Sequence, residues 1–270
     1  MTARDAADQG RIGQGYSDTG LFYLDTAGTG PPVVFVHGFC QSSDYWAGFL
    51  TRISDAGMRG IAVDLPGFGR SAGCAGPFTM EGLASSLAQL FSEMGLGEAA
   101  LVGSSMGGVV AQQFALAHGE RLQRLALIAT GPRSLAPDRA LAQAEALSQS
   151  VWDQATVARL VTGFFHSVPP GWSLARSESI ALLASREAAV EALRSNGLSD
   201  TRNRLPGVTL PTLVIQGGLD PGRTPEIGRE LVELLSDARL VVLPESGHTP
   251  QMEQPDALWA ELGPFLRSVT

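Results

Sequence analysis

The sequence contains no lysine: all 19 basic residues are arginine, set against 27 acidic ones in a chain of 270. That absence excludes a Schiff-base lysine, a pyridoxal-phosphate lysine and the lysine of a phosphate-binding P-loop. Cysteine is nearly absent as well. Cys40 and Cys74 are too few for a disulfide framework or a cysteine-rich zinc site, and they read as thiols in a reducing compartment. Basic excess is also missing. A net charge of -8 offers no basic face to nucleic acid or to an anionic membrane, so neither is expected as a partner. No segment approaches about 18 uninterrupted apolar residues, and residues 1–20 lack the apolar run of a signal peptide. Together these absences predict a cytoplasmic location.

What is present suits one folded α/β domain, with 44% hydrophobic residues, 17% charged residues and 32 glycines. Residues 1–20 are polar and Gly-rich and are expected to form a loose leader. From Leu21 the chain alternates short apolar runs with helical spacing. Leu21–Asp25 is read as an antiparallel edge, and Val33–Val36, Gly60–Val63, Ala99–Val102, Leu125–Ile128, Thr212–Gln216 and Ala238–Leu243 as strands. Met80–Met94, after Thr79, and Gly108–Ala117 carry the helical period. Strands apolar on both faces, separated by helices, predict a mostly parallel twisted sheet flanked by helices. Between Arg133 and Pro206 the rhythm breaks into successive helical patterns without a convincing strand. Residues 21–132 and 207–270 are therefore assigned to the core, and 133–206 to an inserted helical cap at the ligand-binding side of the sheet.

The strongest chemical signal is Gly103-Ser104-Ser105-Met106-Gly107, because a strand precedes it and an apolar helix follows it. The flanking glycines are read as permitting a sharp turn that presents Ser105 at a helix N-terminus. A serine hydroxyl needs a base, and the chain has four histidines. His37 ends a strand, His118 ends the helix after Ser105, and His166 lies in the cap. His248, on a turn after the last strand, is the candidate base by position and elimination. Asp220 follows the strand Thr212–Gln216 and precedes His248, giving the order Ser, Asp, His. Asp64 and Asp138 are rivals, but neither follows a strand in the second half of the chain.

From about Leu21 to Leu266 the chain resembles the α/β-hydrolase superfamily. The resemblance rests on Val36-His37-Gly38-Phe39, Asp64-Leu65-Pro66-Gly67-Phe68-Gly69-Arg70-Ser71, the Ser105 turn, Gly217 to Asp220, and Gly247-His248. It implies that backbone N–H groups of Phe39 and Met106 form an oxyanion hole, and that His37 is structural. The Asp64–Ser71 stretch is read as a turn that shapes the fold. A serine at position 105 argues against the dehalogenase and epoxide-hydrolase branches, which resemble this chain but carry a carboxylate there.

The expected activity is hydrolysis of a carboxylic ester or lactone, as in the carboxylesterase and enol-lactonase branch, with no metal and no organic cofactor. Ser105-Met106-Gly107-Gly108 resembles the carbon–carbon bond hydrolases of ring-cleavage pathways. His37-Gly38-Phe39-Cys40-Gln41-Ser42 departs from their first turn. A cofactor-free haloperoxidase or perhydrolase, a thioesterase and a non-catalytic small-molecule receptor stay open as alternatives. Trp46, Trp152, Phe164, Phe165 and Trp172 are each compatible with packing of the cap, and together suggest an apolar substrate pocket. Arg202 and Arg204 are candidates for a substrate carboxylate or for a solvated helix face, the latter favoured. The partner is a small molecule, and a homodimer is compatible with this reading.

Overall fold

The computed structural model describes residues 12–267. Strand β1 (Gly13–Tyr16) pairs antiparallel with β2 (Phe22–Asp25), so part of the segment expected as a loose leader is an edge strand. The physical reason is that an edge strand is held by its backbone ladder, which a Gly-rich sequence can supply without a hydrophobic pattern. Tyr16 adds a ring contact with Phe22 at 5.3 Å. The rest of that segment, residues 1–11, lies outside the described residues.

The alternation then proceeds as β3 (Pro32–Val36), α1 (Ala47–Asp55), β4 (Arg59–Val63), α2 (Met80–Glu93), β5 (Ala99–Ser104), α3 (Met106–His118) and β6 (Leu122–Ile128). Helix α2 starts where Thr79 accepts the Gly82 N–H, the capping expected of a threonine before an apolar helix. Between β6 and the next strand lie α4 (Pro137–Gln149), α5 (Gln154–Val161), α6 (Leu174–Leu183) and α7 (Arg186–Leu198). Asp153, Ser173 and Ser185 cap the last three of these through their side chains. Each such cap stabilises its helix by about 1 kcal/mol. The chain closes with β7 (Thr212–Gly217), α8 (Pro225–Leu234), β8 (Ala238–Leu243), α9 (Pro250–Glu253) and α10 (Pro255–Arg267).

The sheet order is β1-β2-β4-β3-β5-β6-β7-β8, antiparallel at β1 and β2 and parallel from β4 to β8. Successive residues of β3 point to opposite faces, as the two-residue period of a strand requires. Val34 and Val36 join the core formed with α2, α3 and the 133–206 helices, whereas Val33 and Phe35 join the core under α1 and α10. The order reverses at β3, which has β4 on one side and β5 on the other. This is a topological switch point, and the crevice beyond its strand ends is where open α/β sheets place ligands.

The four helices between β6 and β7 are joined to the body at several points. Ser185 N–H donates to the Gly67 carbonyl at 2.8 Å, and Met80 N–H donates to Ser195 Oγ at 3.0 Å. Val157, Val161, Ile180 and Ala181 are buried in the same core as the sheet. No described helix is long and apolar enough to cross a membrane.

Candidate active site

Ser105 sits between the end of β5 and the start of α3 with φ 54° and ψ -117°, a left-handed conformation unusual for a residue with a Cβ. Such backbone costs about 1–3 kcal/mol and persists only where neighbours over-determine it. Here Ser105 N–H donates to the Ile128 carbonyl at 2.8 Å, while the Ser105 carbonyl accepts from Gly108 and Val109. The glycines beside Ser105 serve close approach. A Cβ on Gly103 would lie 2.3 Å from the Gly107 carbonyl oxygen, and one on Gly107 would lie 2.4 Å from that of His37. Neither is among the glycines with positive φ, so it is Ser105 itself that makes the sharp turn.

Asp220 and His248 lie on the loops that leave β7 and β8. Those loops are pressed together because a Cβ on Gly217 would meet the Gly247 carbonyl oxygen at 2.0 Å, and Leu219 N–H donates to the Ser246 carbonyl. Asp220 Oδ1 accepts the N–H groups of Gly222 and Arg223 at 2.8 and 3.0 Å. That fixes the carboxylate and leaves Oδ2 facing His248 Nδ1 at 2.6 Å. His248 Nε2 lies 2.9 Å from Ser105 Oγ. An ionised carboxylate only accepts, so Nδ1 carries the imidazole proton and Nε2 is free to accept from the serine hydroxyl.

The Asp220 side chain is 2% exposed and that of His248 22%, which shields the carboxylate and leaves the imidazole partly open to solvent. Burial penalises the charged form of Asp220. The hydrogen bond and charge attraction from His248, with the two backbone donors, outweigh that penalty and hold it below the ordinary carboxylate value. It is therefore an acceptor throughout the neutral range.

The turn after β3 lies against Ser105, since a Cβ on Gly38 would come within 3.4 Å of the serine Cβ. Gly38 N–H donates to Gln41 Oε1 at 3.0 Å, a shaping contact that the sequence did not reveal. His37 bridges this turn to the one after β4: its Nδ1 donates to the Gly38 carbonyl and its Nε2 accepts Leu65 N–H. Burial lowers its pKa despite the attraction of Asp64, so it stays neutral. Phe39 follows in the same turn, and Met106 opens α3, where first-turn N–H groups have no intrahelical acceptor. Cys40, also at positive φ, is fully buried, and burial raises its thiol pKa so that it remains protonated.

Asp64 accepts Ser43 N–H and Arg70 N–H at 2.6 and 2.7 Å, while the Arg70 guanidinium also reaches Asp44 and covers the Phe22 ring. It is committed to holding two loops together. His118 packs its ring on Phe114, and His166 donates its backbone N–H to Glu253. Arg202 pairs with Asp200, and Arg204 donates to Gln113. Among the described residues no group of three or more His, Cys, Asp or Glu is gathered as a metal site requires.

The aromatic residues divide. Trp46 is fully buried on the other side of the sheet, with ring contacts to Phe35 at 5.0 Å and Phe49 at 5.8 Å, and is no part of the Ser105 crevice. The adjacent Tyr45 faces the cap instead, stacking with Phe165 at 6.3 Å and meeting Trp172 at 5.1 Å. The tyrosine hydroxyl and the Trp172 indole N–H both donate to Ser177 Oγ. Phe164 is buried in the shared core, and Trp152 packs against it from a half-buried position. Ser43–Trp46 form a 3₁₀ turn, whose adjacent residues point in different directions, so Tyr45 meets the cap while Trp46, expected at the pocket, packs on the other side of the sheet. Trp46→Ala is expected to cost about 3–5 kcal/mol in urea unfolding.

The sequence profile described as the alpha/beta hydrolase fold matches residues 31–255. The chain belongs to this family. Among its relatives, a pimeloyl-[acyl-carrier protein] methyl ester esterase of Vibrio atlanticus is 28% identical, the match covering 92% of this chain and 98% of that one. A non-heme chloroperoxidase of Kitasatospora aureofaciens is 29% identical over 84% of this chain and 88% of its own length. Among solved structures, the enol-lactonase of Burkholderia xenovorans LB400 superposes with a TM-score of 0.85 at 25% identity, covering 95% of this chain and 100% of that one.

Proposed function

We propose that this chain is a serine hydrolase that cleaves a carboxylic ester or lactone of a small, largely apolar substrate through an acyl-enzyme. The observation that carries the reading is the unbroken relay from Asp220 Oδ2 through His248 to Ser105 Oγ. His248 takes the serine proton as Oγ attacks the carbonyl, then donates it to the leaving oxygen. Water enters, His248 removes a proton from it, and attack on the acyl-enzyme releases the acid and restores Ser105. Asp220 stabilises the imidazolium at each stage while remaining ionised. Phe39 and Met106 N–H groups receive the negative charge that develops on the carbonyl oxygen.

The likeness to a methyl ester esterase and to an enol-lactonase supports this bond class. Residues 133–206 act as a lid whose Phe164, Phe165, Trp152 and Trp172 bound the acyl side. The test is a p-nitrophenyl ester series from acetate to dodecanoate, with and without a short linker in place of that segment. A preference for one chain length that is lost in the linker variant supports both reaction and lid. Unchanged selectivity removes the lid, and no turnover of any ester or lactone by the intact protein removes the hydrolase reading.

A second reading is favoured by the likeness to a chloroperoxidase. Hydrogen peroxide would replace water in attacking the acyl-enzyme, releasing a peracid. Formation of peracetic acid from acetate and peroxide, dependent on Ser105, is the measurement that separates it.

A further inference from the structure

Glu253 stands outside the relay, yet its carboxylate gathers the backbone on both sides of His248. Oε1 accepts Thr249 N–H at 2.9 Å, and Oε2 accepts Gly247 N–H at 3.1 Å. The same Oε2 accepts His166 N–H at 3.0 Å and Ser167 N–H at 3.2 Å, two residues between α5 and α6 in the cap segment. A second strut runs parallel to it: the Thr249 hydroxyl donates to the Phe164 carbonyl. The two backbones are in direct contact, because a Cβ on Gly247 would lie 2.5 Å from His166 Cβ and 2.8 Å from its nitrogen. Two residues before Glu253 on α9, Gln251 Nε2 reaches Ser104 Oγ beside the nucleophile.

Four N–H donors converging on one side chain call for a group that only accepts. A carboxylate provides about four lone-pair sites, whereas an amide or a protonated acid turns one oxygen position into a donor facing other donors. Thr249 is the N-cap residue of α9 and Glu253 its last residue, so the helix is a single turn folded so that its last side chain returns to its own start. The imidazole of His248 is aimed by Asp220, while its main chain is held through Glu253, and the same oxygen holds the cap.

We propose that Glu253 is a positioning residue that couples the cap segment 164–167 to the catalytic histidine, so that the base is aligned only while the cap is seated. The proposal rests on the reading of His248 as general base. It follows that the four N–H contacts form a latch: displacing residues 164–167 from the body withdraws two of the donors around Oε2 and frees the loop that carries His248. Misplacement of a reacting group by 1 Å costs about 10²-fold in rate, which sets the size of the effect.

The experiment compares E253Q, E253D and His248→Ala with the wild type in kcat and KM for a short p-nitrophenyl ester, together with hydrogen exchange of the 164–167 amides. E253Q is expected to lose about 10²-fold in kcat with KM changed less than threefold, and its His166 and Ser167 amides to exchange faster. E253D, which keeps an acceptor-only group on a shorter arm, is expected to recover part of the rate. A wild-type kcat in E253Q, or a loss confined to KM, overturns the coupling. Should E253Q fail to fold, Thr249→Val removes only the strut to Phe164. A smaller fall in kcat with faster exchange at 164–167 then supports the coupling, and unchanged values of both overturn it. The His248→Ala arm separates the two readings. Retained activity there defeats the base assignment itself, whereas an inactive His248→Ala beside a fully active E253Q defeats the latch alone.

Discussion

Ser105→Ala is expected to lower kcat for ester hydrolysis by about 10⁶-fold, the loss seen when a hydrolase of this kind gives up its nucleophile. The position has no substitute, because Ser105 Oγ is the atom that His248 Nε2 faces at 2.9 Å. Ser104, its neighbour, is buried and engaged by Gln251. Alanine meets the same backbone demand at φ 54°, so thermal stability is expected to stay within about 1 kcal/mol of wild type. The measurements are steady-state turnover, covalent labelling by a fluorophosphonate and thermal unfolding. Loss of both turnover and labelling with an unchanged melting transition assigns the nucleophile. Retained labelling at another residue would move the chemistry away from the β5–α3 turn.

Asp220→Asn is expected to reduce kcat by about 10⁴-fold while substrate affinity changes little. The local contacts explain why an isosteric change is so damaging. Oδ1 is held by two N–H donors, from Gly222 and Arg223, so the amide oxygen of asparagine must take that place. Its NH₂ group then faces His248 Nδ1, which can accept only if its proton moves to Nε2. That tautomer presents a donor to the Ser105 hydroxyl and cannot remove its proton.

The lowered pKa of Asp220 has a consequence for stability. A carboxylate whose folded pKa lies below its unfolded value contributes stability fully above the unfolded value, and loses it as pH falls through the folded one. The variant lacks this contribution, so the gap in melting temperature between wild type and Asp220→Asn is expected to narrow as neutral buffer is replaced by acid. A gap that widens toward acid would show that the carboxylate is not stabilised by its charge.

Much of the candidate site is legible in the sequence. Gly103 and Gly107 stand out in the sequence as turn glycines, whereas the structure uses them for the close approach of β5, α3 and the His37 turn and leaves the turn itself to Ser105. Asp220 and His248 could be found because each follows a strand end, and strand ends in this topology gather at one crevice. Glu253 was missed. The available signal was slight: a Thr-Pro helix start with a glutamate within one turn, a pattern compatible with an ordinary cap. Its partners at residues 166 and 167 are more than eighty positions away, and no local periodicity points to them. The edge strand at Gly13–Tyr16 was missed because a backbone ladder leaves little trace in side-chain polarity.

The sequence by itself determined the fold family and pointed to Ser105, Asp220 and His248, which the fold brings within hydrogen-bonding distance of one another. Both depend on local patterns: apolar runs of strand length, glycines at strand-to-helix junctions, and polar groups placed just past strand ends. Tertiary structure decided which aromatic side chains meet the cap, since the adjacent Tyr45 and Trp46 lie in cores on opposite sides of the sheet and close packing selects those sides. It also decided how the cap is tied to the histidine loop. The direction of a side chain on a short turn, and the donors that converge on one carboxylate, depend on segments remote in sequence, and they become defined only when the layers are packed.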